Sequence, residues 1–149
     1  MSRAESLQAP TVGDTQAMNI TIDIEPTPKG VPRTKYVQGH VITYYHWKTT
    51  EAMENMRTLI MQNHVEPFPA HVPLKLTCTF FRRKSPWLPK RETMPFRKPD
   101  LDNFCKLTID TISHILIPDD AQITSLIAKK RWSPNGEGYI EIAIEEDTP

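Results

Sequence analysis

Cysteine is nearly absent from this sequence. Its two copies, Cys78 and Cys105, form no Cys-x-x-Cys pair, which excludes a disulfide framework and makes a reducing compartment the default. Both are expected as small buried residues. The five histidines, His40, His46, His64, His71 and His114, show no zinc-ligand spacing with the cysteines, so a structural zinc site is not expected. No apolar run approaches the length of a membrane span, and the N-terminus has no signal-peptide apolar core; the expected localisation is cytoplasmic, with no membrane partner. An excess of either charge is also lacking. The formal net charge is zero, which argues against indiscriminate adhesion to nucleic acid and leaves local patches open. Internal repeats are absent.

What remains is an ordinary soluble balance, 24% charged and 38% hydrophobic residues in 149, enough for one domain with a real core. Fourteen prolines gather between the periodic segments and predict long connections. Residues 1–16 lack periodicity and read as a flexible tail, residues 17–146 as the domain, and 147–149 as a C-terminal tail. Met18 to Glu25 alternates as a half-exposed strand, followed by a proline-rich loop, a short strand over Val41 to Tyr45, and a helix capped by Thr49 or Thr50 that runs to about Asn63. Leu74 to Phe81 alternates again. A long loop to Pro99 precedes a second helix from Asp100 or Leu101 to about His114. Ile123 to Trp132 then reads as a strand, Asn135-Gly136 as a turn, and Tyr139 to Ile144 as its hairpin partner. This order predicts an α+β single domain, with two main helices packed on one face of a small mixed β-sheet.

Acids cluster twice, in Lys98-Pro-Asp-Leu-Asp-Asn103 and in Pro118-Asp-Asp-Ala-Gln-Ile123. Converging carboxylates repel one another, so a fold that gathers several normally does so around a cation. Oxygen-only ligands suit a hard ion such as Mg²⁺. At 3.6 residues per turn, Leu101, Phe104, Cys105, Thr108, Ile112 and Ile115 share one stripe, while Asp102, Lys106 and Asp110 follow at i, i+4, i+8 on a polar face. That face alone is also what a solvated helix with two ion pairs looks like, each pair worth roughly 0.2–0.5 kcal/mol. Capping accounts for one of Asp100 and Asp102, and less well for both plus Asn103. Asp119 and Asp120 project differently, so one of the two is expected to face a shared site.

Basic residues crowd the loop before the first acids. Arg82, Arg83, Lys84, Lys90, Arg91, Arg97 and Lys98 face one acid, Glu92, with Trp87 and Phe96 interleaved. Such a loop suits phosphate contact and stacking on unpaired bases. Lys29, Arg33 and Lys35 form a second basic group, and Lys129, Lys130 and Arg131 a third.

The run Lys-Pro-Asp-Leu-Asp-Asn-Phe-x-Lys-x-x-x-Asp at 98–110, then Pro-Asp-Asp-Ala-Gln-Ile at 118–123 and Lys129-Lys130, resembles the RusA-type Holliday-junction resolvases of bacteria and their phages. The specific match covers about 35 residues, and a weaker one takes in the first strand and the Pro-Thr-Pro-Lys-Gly-Val-Pro-Arg33 loop. The resemblance implies catalytic, metal-binding carboxylates at Asp100, Asp102 and Asp120, and a functional lysine at Lys106. Asp119 matches the motif's other acid, and Asp110 a recurrent acid whose role stays open between support and metal shell. It further implies a homodimer that cuts four-way branched DNA with Mg²⁺, Mn²⁺ being a substitute, in recombination and repair. Lys106 would stabilise the reacting phosphate, orient water, or relieve repulsion among the acids. Two other readings are a branched-DNA-binding dimer without catalysis and a Mg²⁺ nuclease of flaps or other branched DNA. The tail and the long proline-rich loop depart from the family.

Overall fold

Period-two alternation builds the main sheet. The computed structural model describes residues 16–63 and 65–149; the expected tail over 1–16, Gln16 apart, lies outside the described residues, as does His64. In β1 (Ala17–Ile22), β4 (Leu74–Arg82) and β6 (Tyr139–Glu146), one face is buried: Met18, Ile20 and Ile22, then Leu74, Leu76, Cys78 and Phe80, then Ile140, Ile142 and Ile144. The opposite face carries Asn19, Thr21, Thr77, Thr79 and Glu141 around a shallow open hollow. Together with β5 (Ile123–Trp132), these strands form one mixed sheet in the order β1-β6-β4-β5. The β4–β5 pair is parallel and the other two pairs are antiparallel.

Two helices, α1 (Trp47–Gln62) and α2 (Leu101–Ile112), cover the apolar face. From α1 come Ala52, Met56 and Ile60; from α2 come Phe104, Leu107 and Ile112. Phe104 stacks on Phe80 at 5.3 Å between ring centroids, joining α2 to the central strand. The α+β class with helices on one sheet face is therefore as expected. Cys78 and Cys105 are packing residues of this core. Burial pushes the Cys78 thiol up to about 12 and moves Cys105 in the same direction.

Several local expectations change. The last two strands are not a hairpin, because β4 lies between β5 and β6. Residues 133–138 are long enough to step across one intervening strand, about 10 Å. A strand was missed. Residues Arg33–Val37 (β2) pair with His40–Tyr44 (β3) in a separate two-stranded ribbon. Every residue of it is exposed, so no burial period marks it; its signal is the two-residue turn Gln38-Gly39, both at positive φ as such hairpins require. The α1 helix is capped by His46, whose Nδ1 accepts from the Lys48 amide. Thr49 is instead buried, its Oγ1 accepting from the Gly30 amide at 3.1 Å. Asp147, assigned to the C-terminal tail, is tied to β5: it accepts from the Thr124 and Ser125 hydroxyls at 2.7 Å each. On α2 the helix stops at Ile112, and Leu107 and Thr111 are buried beyond the expected stripe.

Phe104→Ala removes a fully buried ring from the α2–β4 contact. Its expected cost is about 3–5 kcal/mol, measured as a lower urea midpoint with an unchanged m-value.

Candidate active site

The unit β4–α2–β5 positions the acids. Because β4 and β5 are parallel, α2 returns along the sheet from the carboxyl end of β4 to the amino end of β5. Its N-terminus therefore lies outside the carboxyl ends of both strands, where open α/β units commonly place ligands.

Asp100 occupies the N-cap position, and its carbonyl accepts from the Asn103 and Phe104 amides. Its carboxylate makes no capping hydrogen bond, so the capping account of this acid fails. Asp100 is exposed. Asp102, in the first turn, is also exposed, and among the described residues its only salt-bridge partner is Lys106 at 3.7 Å. With side chains 68% and 62% exposed, this pair adds only roughly 0.2–0.5 kcal/mol. Two carboxylates thus stand almost unengaged at the positive end of a helix dipole.

Lys130 ties the approach to Asp100. Reaching from β5, its Nζ donates to the Arg97 and Pro99 carbonyls, both at 2.8 Å. Burial, followed by the nearby Arg82 charge, pushes this ammonium below its usual range, and Asp100 opposes the shift. Arg82 ends β4 with its guanidinium 5.9 Å from the Phe104 ring and 5.8 Å from the Trp132 ring. Its Nε is buried without a hydrogen-bond partner.

Asp119 and Asp120 lie elsewhere. Asp119 accepts from the Ala121 amide at 3.0 Å, and Gln122 Oε1 accepts from the Asp119 amide in return. The Ala121 hydrogen bond, followed by the neighbouring Asp120 side chain, holds the Asp119 carboxyl below its usual range. Gln122 also donates to the Pro69 and Val72 carbonyls. Asp119 is therefore a capping residue. Asp120 opens the short 3₁₀ turn before β5 and is exposed. Ile123, where β5 begins, pairs with Leu74 at the amino end of β4, whereas Lys130 pairs with Phe80. The seven steps between them span about 23 Å, and the 12 residues of α2 span about 18 Å. Asp120 thus sits at the opposite end of the sheet from Asp100 and Asp102. Among the described residues, no three His, Cys, Asp or Glu side chains cluster as a metal cradle. The expected convergence of the two acid segments does not occur within one chain, because this topology puts the start of the helix and the start of the next strand at opposite ends.

Asp110 forms an ion pair with Lys29. Hydrogen bonding to Asp110 is the main cause that raises the Lys29 pKa. The Lys29 amide donates to the Asn103 carbonyl at 3.0 Å, so Asn103 and Asp110 both anchor the proline-rich loop on α2. Lys29 is occupied; Arg33 and Lys35 stand exposed on β2.

The loop from Arg83 to Pro99 is built around Lys84. Its Nζ donates to the Pro89 and Glu92 carbonyls at 2.8 and 2.7 Å, and Trp132 Nε1 donates to the same Glu92 carbonyl at 3.0 Å. Glu92 receives a two-pronged contact from Arg97, which holds its carboxyl below the usual range. Of the seven bases expected to meet nucleic acid here, Lys84 is a strut, Arg97 is paired and Arg82 is half-buried. Arg83, Lys90, Arg91 and Lys98 remain exposed. So does Lys129, whereas Lys130 turns inward. Trp132 was missed in the sequence, where nothing marks its indole as a loop clasp.

Residues 23–145 match the family model described as endodeoxyribonuclease RusA. The chain is 32% identical over 129 residues to the crossover junction endodeoxyribonuclease rusA of Lactococcus phage r1t, covering 84% of this chain and 93% of that protein. It is 24% identical over 138 residues to the uncharacterized protein YqaN of Bacillus subtilis (strain 168), covering 87% and 96%.

Lys84→Met leaves two carbonyls without their charged donor, a loss of roughly 1–3 kcal/mol locally. Hydrogen exchange and limited proteolysis within residues 85–96 are expected to quicken about tenfold or more, while Arg83→Met leaves both unchanged.

Proposed function

We propose, from the premise that this chain belongs to the RusA endodeoxyribonuclease family, that it resolves four-way DNA junctions by paired, Mg²⁺-dependent phosphodiester hydrolysis in recombination and repair. The carrying observation is the pair of carboxylates, Asp100 and Asp102, free of capping and exposed at a helix N-terminus with basic residues around them. Their donor set is carboxylate oxygen alone. That suits Mg²⁺, which is usually held by one or two carboxylates plus substrate phosphate, and Mn²⁺ in its place. When bound, such an ion polarises the scissile phosphate and lowers the pKa of water.

This chain's own residues do the rest. Asp100 and Asp102 hold the cation side of the site. Lys106, one turn on and exposed, neutralises Asp102 in the resting state and swings to an equatorial phosphate oxygen when DNA arrives. Lys130 keeps the backbone before Asp100 in place. Exposed Arg83, Lys90, Arg91, Lys98 and Lys129 bind phosphates on either side, with Arg33 and Lys35 extending the track.

Asp120 joins from a second copy. Strand β5 is a sheet edge that leaves Leu126 and Ile127 exposed at 47% and 40%, a surface open to strand pairing. Antiparallel pairing of two such edges about a two-fold axis near Ile127 would set the start of one β5 beside the end of the other. The partner's Asp120 then approaches Asp100 and Asp102. One dimer so made carries two matched sites, as a two-fold symmetric junction requires for paired nicks.

Asp102→Asn is expected to lower nicking of an immobile junction by roughly 10²-fold or more with folding intact. Asp120→Asn should do the same. Mixing the two inactive variants regenerates one wild-type site in each mixed dimer, and about a quarter of wild-type nicking should return. No recovery despite subunit exchange would exclude the shared site. Replacing Arg83, Lys90 and Arg91 with Gln should reduce the slope of log affinity against log salt by roughly 2 to 3, read by fluorescence anisotropy across a salt series.

A further inference from the structure

Trp87 is 92% exposed, and Phe96, in the same loop, is 71% exposed. An indole offers 150–250 Å² for burial, and leaving it in water on an ordered loop forgoes that stabilisation. The loop is nonetheless ordered around it. Trp87 sits inside a turn in which the Leu88 amide donates to the Ser85 carbonyl at 3.1 Å and its own amide donates to Ser85 Oγ at 3.3 Å. Pro86 and Pro89 flank it. Beyond the turn, Lys84 and Trp132 clasp the backbone through the Glu92 carbonyl. The ring is thus held out on a fixed support and needs no loop folding to meet a partner.

Charge identifies the partner's chemistry. Exposed Arg83, Lys90, Arg91 and Lys98 share its loop, and Glu92, the loop's one acid, is already neutralised by Arg97. A cationic platform bearing a bare indole suits a polyanion with flat apolar faces. The distal end of the loop is fastened by Lys130 next to Asp100, so the segment that carries Trp87 runs directly into the proposed scissile position. We infer that Trp87 is a stacking wedge for an unstacked base at a DNA branch point, and that the 83–99 loop thereby selects branched DNA over continuous duplex. This rests on the nuclease reading above and specifies how its substrate is recognised. Continuous duplex keeps its bases stacked and offers Trp87 nothing but phosphates; a branch offers an open base face.

The test compares wild type, Trp87→Ala and Trp87→Phe in chelator, so that no strand is cut. Affinities are measured for an immobile four-way junction carrying 2-aminopurine at the branch and for a linear duplex of the same length. Trp87→Ala is expected to lower the junction-to-duplex affinity ratio roughly tenfold and to abolish the 2-aminopurine response, with duplex affinity unchanged. Trp87→Phe should keep most of both. An unchanged ratio in Trp87→Ala overturns the wedge, and so does an equal loss on junction and duplex. Nicking of the same junction by wild type with Mg²⁺ scores the resolvase reading separately. Nicking with an unchanged ratio sinks the wedge alone; binding with a lost ratio and no nicking sinks the resolvase reading alone.

Discussion

Parallel pairing of β4 with β5 constrains everything else in this molecule. A parallel pair cannot be closed by a tight turn, so the chain must travel the length of the sheet between the two strands, and α2 is the vehicle. That return journey sets the start of α2, with Asp100 and Asp102, at one end of the sheet and the start of β5, with Asp120, at the other. It also turns the apolar stripe of α2 against β4, where Phe104 meets Phe80. The core and the dispersal of the acids therefore have one cause.

Much of this was legible in the sequence because burial writes a period. Strands β1, β4 and β6 and both helices have one wet and one dry side, and their alternation or 3.6-residue stripe follows from that. The β2–β3 ribbon has two wet sides and leaves no such trace. Strand order is a different kind of information. Asn135-Gly136 signals a turn correctly, but a turn does not say whether another strand will slip between its arms. The acids show the same limit. Residue type and spacing identify Asp100, Asp102, Asp119 and Asp120 as a set, whereas only the register separates Asp119, which caps a turn, from Asp120, which does not.

Several basic side chains are engaged within the chain itself. Lysine and arginine are long amphipathic side chains that brace backbone as readily as they meet phosphate. Lys84 gathers carbonyls from its own loop, Lys130 holds the segment before Asp100, Lys29 pairs with Asp110, and Arg97 pairs with Glu92. Four of the charges that look like a binding patch in the sequence are internal fastenings. They make a proline-rich insertion into a defined support for the cations that remain free.

The ribbon's attachment has a mechanical consequence. A two-stranded ribbon with no buried side is marginal by itself, so β2 and β3 take their orientation from the root: Lys29 against Asp110, the Lys29 amide on Asn103, and the Gly30 amide on Thr49. Two of those three fastenings lie on α2, and the third lies on the first turn of α1. Asn103 and Asp110 thereby tie the ribbon's root to the helix that carries Asp102. Asp110 and Asp102, two turns apart on α2, thus place the ribbon's anchor and an exposed acid on one rigid cylinder.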